Sequence, residues 1–272
     1  MQPFQFTFNG VSWGDGTDFD VYDISGLDMP GLRTADLARA QAHGTHPSRD
    51  WLGGRTISMS IEADSMTTDW ESLLAGLITT VEELPLTFQI PGQSARRVYA
   101  RCRRRAFVIG EEFSLGAGTL AVEFYASDPR QYDDTLSSLS TGLPTLSGGL
   151  TFPATAPFVF GSPGTGGGLA AANAGSFEAP WVVVFNGPLV APSITHTAQS
   201  RTLLAAGADL ASGETLVLDG QAKTALLNGT ASRYSWLSNP QWFTLEPGAN
   251  NLQFTAASGT GTCDIRYRSA YL

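Results

Sequence analysis

Apolar and polar residues alternate in short runs along most of the chain, a period of two that predicts strands. Phe4, Phe6 and Phe8 line one face of a half-buried strand that stops at Asn9-Gly10. Phe19-Asp-Val-Tyr-Asp-Ile24 predicts a second strand, closed by Ser25-Gly26. In Arg55-Thr-Ile-Ser-Met-Ser-Ile61 the apolar Ile57, Met59 and Ile61 share a face. Leu84–Ile90, Arg97–Val108 and Thr119–Tyr125 supply further strands. Residues 69–81 carry the clear helical period, with Trp70, Leu73, Leu74, Leu77, Ile78 and Val81 on one stripe. Thr68 and Glu71, three residues apart, predict a capping box at its start, and Pro85 bars extension. Residues 1–134 therefore read as one β domain with a covering helix, closed by Ser127–Asp133.

Between these strands, residues 33–54 read mainly as a long loop, a length that in a compact domain points to a functional or partner-ordered segment. Residues 135–172 are dense in Ser, Thr, Gly, Pro and Ala and read as a connector with short extended pieces such as Phe158-Val-Phe160. Residues 173–272 return to short strands. Trp181–Phe185, Leu216–Leu218, Ala225–Leu227, Asn250–Phe254 and Cys263–Tyr267 alternate with Asn186-Gly187, Asp219-Gly220 and Asn228-Gly229 turns. That spacing predicts an antiparallel sandwich or jelly roll.

Composition narrows the function classes. The 272 residues are 42% hydrophobic and 15% charged, with 30 Gly and 15 Pro, which favours strands and turns over long charged helices. A net charge of −9 argues against nucleic-acid binding by the whole protein. Lys223 is the sole lysine, so arginine, which suits interfacial ion pairs, carries nearly all the positive charge. Cys102 and Cys263 fall in different domains and read as buried free thiols. The N-terminus lacks a signal-peptide pattern and no apolar run spans a bilayer, so a soluble protein made in a cytoplasm is expected.

Catalytic and metal patterns fare poorly. Gly164-Thr-Gly-Gly-Gly168 is followed by no Gly-Lys-Ser/Thr and reads as a linker. His43 and His46 flank Gly44-Thr45 near Asp36 and Asp50 without ligand spacing, and read as polar loop residues available to a subunit interface. Glu82-Glu83, Glu111-Glu112 and Asp133-Asp134 are adjacent, so on strands they diverge rather than converge on a substrate. Neither an enzyme nor a cofactor is expected. The strongest charge cluster is Arg96–Arg105. On a regular strand Arg97, Tyr99, Arg101, Arg103 and Arg105 share one face, opposite Val98, Ala100 and Cys102. Such a face is balanced across the ladder, pairs with a neighbouring subunit, or touches DNA. Aromatic residues Trp181, Tyr234, Trp236, Trp242 and Tyr267 read chiefly as core, with a sugar-binding platform as the alternative.

Two stretches of the last hundred residues carry a family resemblance. Gly213-Glu-Thr-Leu-Val-Leu-Asp219 and Trp242-Phe-Thr-Leu-Glu-Pro-Gly-Ala-Asn250 resemble the C-terminal β-sandwich of the distal tail, or minor tail, proteins of long-tailed phages. Gly213, Glu214, Asp219, Trp242, Leu245, Pro247, Gly248 and Asn250 are the positions that carry it. Asn173, Asn186-Gly187 and, more loosely, Gly26-Leu-Asp-Met-Pro30 are similar too. The resemblance implies a mainly β chain: a split-barrel-like N-terminal domain with one helix, then a galectin-like sandwich. It further implies a hexameric ring at the virion's tail end. That ring would join the tail tube protein to the tip hub protein, with tape-measure and receptor-binding proteins as further contacts. No membrane or specific nucleic acid is implied, and the segment 33–54 would reach a neighbouring ring element. Arg97, Arg101, Arg103, Arg105, His43 and His46 are the candidate interface residues. A glycan-binding sandwich is the alternative function.

Overall fold

The computed structural model describes residues 1–64, 69–114, 117–144 and 166–272. The protein is mainly β and divides into two compact units, Met1–Thr135 with Tyr271–Leu272, and Leu136–Ala270.

In the first unit the strands are β1 Gln5–Phe8, β2 Val11–Gly14, β3 Asp20–Ser25, β4 Leu32–Arg33, β5 Leu37–Ala38, β6 Thr45–His46, β7 Trp51–Leu52 and β8 Arg55–Asp64. Helix α1, Trp70–Gly76, precedes β9 Leu84–Gln89 and β10 Arg96–Val108. A helical turn, α2 Glu111–Ser114, leads to β11 Ala117–Ala126 and β12 Gln131–Asp133. The main sheet runs β2-β1-β9-β10-β11-β8-β3. Its inner face buries Phe6, Phe8, Trp13, Ile57, Ile61, Phe88, Val98, Leu120 and Phe124, as the alternation in each strand requires. The Trp13 ring stacks on Phe124 with centroids 6.1 Å apart, and Phe8 meets Phe124 edge-on at 5.0 Å.

The helix is shorter than its apolar stripe. Asp69 caps it, Oδ1 accepting from the Ser72 amide at 3.0 Å, while Thr68 lies outside the described residues. It stops at Gly76 because other groups take the carbonyls that a further turn would need. Asn9 Nδ2 donates to Gly76 O at 3.1 Å, and Arg105 donates to Leu74 O and Leu77 O. Ile78 and Val81 are consequently exposed, Val81 to 94%. Trp70 lies against Gly118, where a Cβ would come within 2.7 Å of the indole.

A bulge in β10 corrects the single arginine face. Cys102 pairs with Phe124 and Arg104 with Glu123, so Arg103 is the extra residue and the alternation inverts after it. Arg105 therefore shares the inner side with Cys102 and Phe107, opposite Val122, and not the face of Arg97 and Arg101.

The second unit comprises β13 Ser137–Gly142, β14 Gly168–Asn173, β15 Trp181–Asn186, β16 Leu189–Val190, β17 Ser193–His196, β18 Arg201–Leu204 and β19 Asp209–Leu210. It continues with β20 Thr215–Asp219, β21 Thr224–Leu227, β22 Ala231–Ser232, β23 Gly248–Thr255, β24 Ser258–Gly259 and β25 Thr262–Tyr267. A sheet ordered β13-β25-β15-β20-β21-β22 and another ordered β14-β23-β17-β18 bury Val183, Phe185, Leu203, Leu216, Leu218, Phe254 and Ile265. Both described ends of residues 135–172 are strands of this unit rather than connector. β13 pairs with β25 and β14 with β23, their small residues fitting flat ladders whose inward positions are Leu169 and Ala171. Phe158–Phe160 lies outside the described residues.

Candidate functional site

Segment 31–53 is a two-tier β hairpin instead of a loop. At its root, the Gly53 amide donates to Gly31 O at 2.7 Å and β4 pairs with β7. Farther out, β5 pairs with β6, and the Arg39 amide donates to Gly44 O at 3.2 Å to close the tip. Gly44, at φ +95°, supplies the left-handed turn. Between the tiers Asp36 and Ser48 form a clasp. Asp36 Oδ1 accepts from the Ser48 amide at 2.7 Å and hydroxyl at 3.1 Å, and Ser48 Oγ accepts from the Ala35 amide at 2.9 Å.

Nearly every side chain of this arm is exposed, including Leu37 at 70% and Trp51 at 54%. A two-stranded ribbon without a core is marginal on its own, so such an arm is suited to a partner that covers it. Arg33 sits directly across from Trp51, and the Arg49 guanidinium lies 4.2 Å above the Trp51 ring. With Thr34, Ala35 and Ser48 these residues line an open hollow of about 550 Å³.

Arg55, at the root, anchors the arm. It is 2% exposed, and its guanidinium donates to Gly26 O, Asp28 O and Pro129 O. Burial lowers its pKa, against the pull of Asp28. Gln131 Nε2 adds a bond to Leu27 O at 2.7 Å. Gly26 must be glycine: its φ is +87°, and a Cβ would lie 1.9 Å from Thr56 O. Nothing along the chain marks this role for Arg55, which reads as the first polar residue of an alternating strand.

The β10 arginines are largely engaged within their own unit. Arg97 Nε donates to Asp134 Oδ1 at 3.0 Å; its burial disfavours the charge, but the Asp134 hydrogen bonds outweigh that and raise its pKa. Arg104 faces Glu123 at 3.6 Å, and Arg103 stacks 3.5 Å over Tyr125. Arg96 stacks 3.9 Å over Tyr271. Arg105 is bonded to the end of α1, and Arg101 Nε is buried without a hydrogen-bond partner. His43 and His46 lie in the arm, exposed, apart from the β10 cluster in the fold. Among the described residues no group of three His, Cys, Asp or Glu is placed to hold a metal, and no helix is long and apolar enough to cross a membrane.

In the sandwich the signature positions are turns and core. Gly213 and Gly248 take positive φ, Glu214 Oε2 accepts from the Ala211 amide at 2.9 Å, and Asp219 Oδ1 accepts from the Gln221 and Ala222 amides. Leu245 is buried and exchanges backbone bonds with Ala179, while Pro247 is exposed in the turn. Asn250 is buried and bonded to both Glu246 and Gly248. Trp181 donates to Phe243 O at 2.9 Å, and half-buried Trp242 stacks on it at 6.2 Å. Tyr234 remains exposed, beside half-buried Trp236.

Comparison with known proteins finds this architecture elsewhere. Residues 174–271 match the family described as siphovirus-type tail component, C-terminal domain. No curated protein sequence matches. The solved structure of the SPP1 Dit protein, described as a paradigm of the hub adsorption apparatus in phages infecting Gram-positive hosts, is similar over 100% of both chains, with a TM-score of 0.68 at 14% identity. Chains of the phage p2 baseplate in its activated conformation are similar at 9% identity. The form with calcium has a TM-score of 0.55 over 97% of this chain and 96% of that one, and the form with strontium 0.54 over 97% of each. Residues 174–271 thus match the siphovirus-type tail component C-terminal domain, and the chain from end to end shares the fold of the SPP1 Dit structure.

Proposed function

We propose that this chain is a structural, non-catalytic component of the tail tip of a long-tailed phage. Its N-terminal unit assembles as a closed ring, hexameric as in the family it resembles, that joins the tail tube to the tip hub. Its sandwich holds receptor-binding or other tip proteins. The observation that carries this reading is the 31–53 arm, an exposed hairpin with no core of its own, on a chain whose whole length follows a distal tail fold. Rotationally repeated contacts between unlike surfaces close a ring, and an arm supplies one such surface. The net charge of −9 suits a ring through which DNA passes without adhering.

Electron microscopy of virions with the protein labelled is the test. Label at the tail's distal end, with a single ring of this protein there, is the expected image. Virions lacking the protein, or label on the capsid, would overturn the reading. Glycan binding by the purified chain with no ring in the tail would favour the sugar-binding alternative.

A further inference from the structure

The outward face of the β3–β8 ladder is acidic, and among the described residues its carboxylates form no ion pair. A bulge at Tyr22 sets Val21 and Ile24 inward against Ile61 and Met59, and Asp20 and Asp23 outward beside Glu62 and Ser60. Asp20 and Glu62 are directly opposed across the ladder, an arrangement of like charges that costs stability unless a cation joins them. Asp15 and Asp18, in the turn before β3, extend the patch, and Tyr22 at its edge is 78% exposed. Among the described residues the ion pairs are Arg97–Asp134, Arg104–Glu123 and Arg130–Asp128, so none of these carboxylates is paired. Ser58, Ser60 and Ala121 continue the same face with small side chains as far as the Arg104–Glu123 pair beside Ser58.

The arm has the opposite character. Residues 31–53 hold three arginines (33, 39, 49) and two aspartates (36, 50), a net +1, so the remainder of the chain carries −10 of the total −9. Asp36 is taken by the Ser48 clasp, whereas Arg33 and Arg49 flank exposed Trp51 in no ion pair. The arm leaves the ladder at its Ser25–Arg55 end, while Asp20 and Glu62 lie at the other end. A single chain thus presents cation and anion at separate places, the geometry of a head-to-tail contact.

We propose that the arm of one copy docks through Arg33, Arg49 and Trp51 on the Asp20–Asp23–Glu62 face of the next copy. This rests on the ring reading above and names the two surfaces that close it. Arginine beside an aromatic ring suits a carboxylate-bearing face, because the stacked planar guanidinium keeps the N–H donors at its edge available while the indole covers small side chains. Charge complementarity of this kind fixes register and partner.

Charge reversal tests the pairing. Arg33→Glu/Arg49→Glu makes arm and face both acidic, and Asp20→Arg/Asp23→Arg/Glu62→Arg makes both basic. Each variant alone, folded by circular dichroism, is expected to lose ring formation by at least about tenfold in concentration. Mixed together they restore it, because each arm then meets an opposite face, and the rings alternate with even membership. Restored rings in the mixture support the docking. Single variants that assemble like wild type, or folded variants whose mixture stays unassembled while wild type forms rings, overturn it and leave the ring reading intact. Wild-type protein absent both from rings in solution and from tails would instead remove the ring reading.

Discussion

His196 Nε2 donates to Asn250 Oδ1 at 3.0 Å, joining β17 to the turn that opens β23 in the interior of the sandwich. The tautomer follows from the other ring nitrogen, since Nδ1 accepts from the Gln199 amide at 3.2 Å. Asn250 then accepts from the Glu246 amide and donates to Glu246 O and Gly248 O, so all of its polar atoms are spent on the Glu-Pro-Gly-Ala-Asn turn. The asparagine of the family signature is thus a buried brace, and His196 is its partner from a distant strand. Asn250→Ala leaves several buried groups unpaired and is expected to cost about 2–4 kcal/mol. In denaturant unfolding, His196→Ala should cost a similar amount, and the double variant should fall short of the sum by about 1 kcal/mol. Strict additivity would show that the two side chains do not act together.

Arg55→Met keeps side-chain length but strands the carbonyls of Gly26, Asp28 and Pro129. The expected loss is about 3 kcal/mol, with faster amide exchange around Gly53 and Gly31 at the arm root. Exchange that rises uniformly through the first unit, with no excess at the root, would contradict the anchoring role.

Two glycines of the same region should respond very differently to alanine. Gly26→Ala meets both a positive φ and Thr56 O at 1.9 Å, and is expected to destabilise by about 3 kcal/mol or more. Gly44→Ala at the arm tip has a φ of +95° but nothing within 4 Å of the added carbon, so about 1 kcal/mol of local strain is expected. Thermal melts of the two variants compare them directly, and equal shifts would refute the packing argument.

Alkali should weaken the fold through buried acids. Burial pushes the Cys263 thiol and the Tyr132 phenol up from their ordinary values of 9.0 and 10.0, with Asp264 and Asp128 adding to the effect. Cys102 moves the same way by burial, partly offset by Arg105. A raised folded pKa means that the folded state holds protons the unfolded chain has released. The stabilisation is therefore complete below pH 9 and falls above it, by up to about 1.4 kcal/mol per pH unit for each group ionising only when unfolded. Urea midpoints measured from pH 7 to 11 should decline accordingly, and a flat profile would refute it. A thiol reagent at pH 8 should leave both cysteines untouched until the protein is denatured.

Strands were legible wherever burial on one face imposed a period of two, as in Arg55–Ile61 and Asn250–Phe254, and turns wherever Gly213 and Gly248 took a positive φ or Asp219 bonded the amides that follow it. The helix was legible in type but overextended, because Ile78 and Val81 fit its stripe while Asn9 and Arg105 had already claimed the carbonyls of Leu74, Gly76 and Leu77. The arm was legible as an unusual segment and not as a hairpin, since its strands are two residues each and carry no hidden face.

By itself the sequence determined the β class, the signature turns and the absence of a catalytic pattern, because period, glycine conformation and motif spacing are local properties. Tertiary structure alone decided that Arg105 falls on the α1 side of the sheet after the bulge, that Arg55 holds the arm root and that Asp20 faces Glu62 across a ladder. Each depends on hydrogen-bond register between strands far apart in the chain, and a shift of one residue in that register exchanges inside for outside.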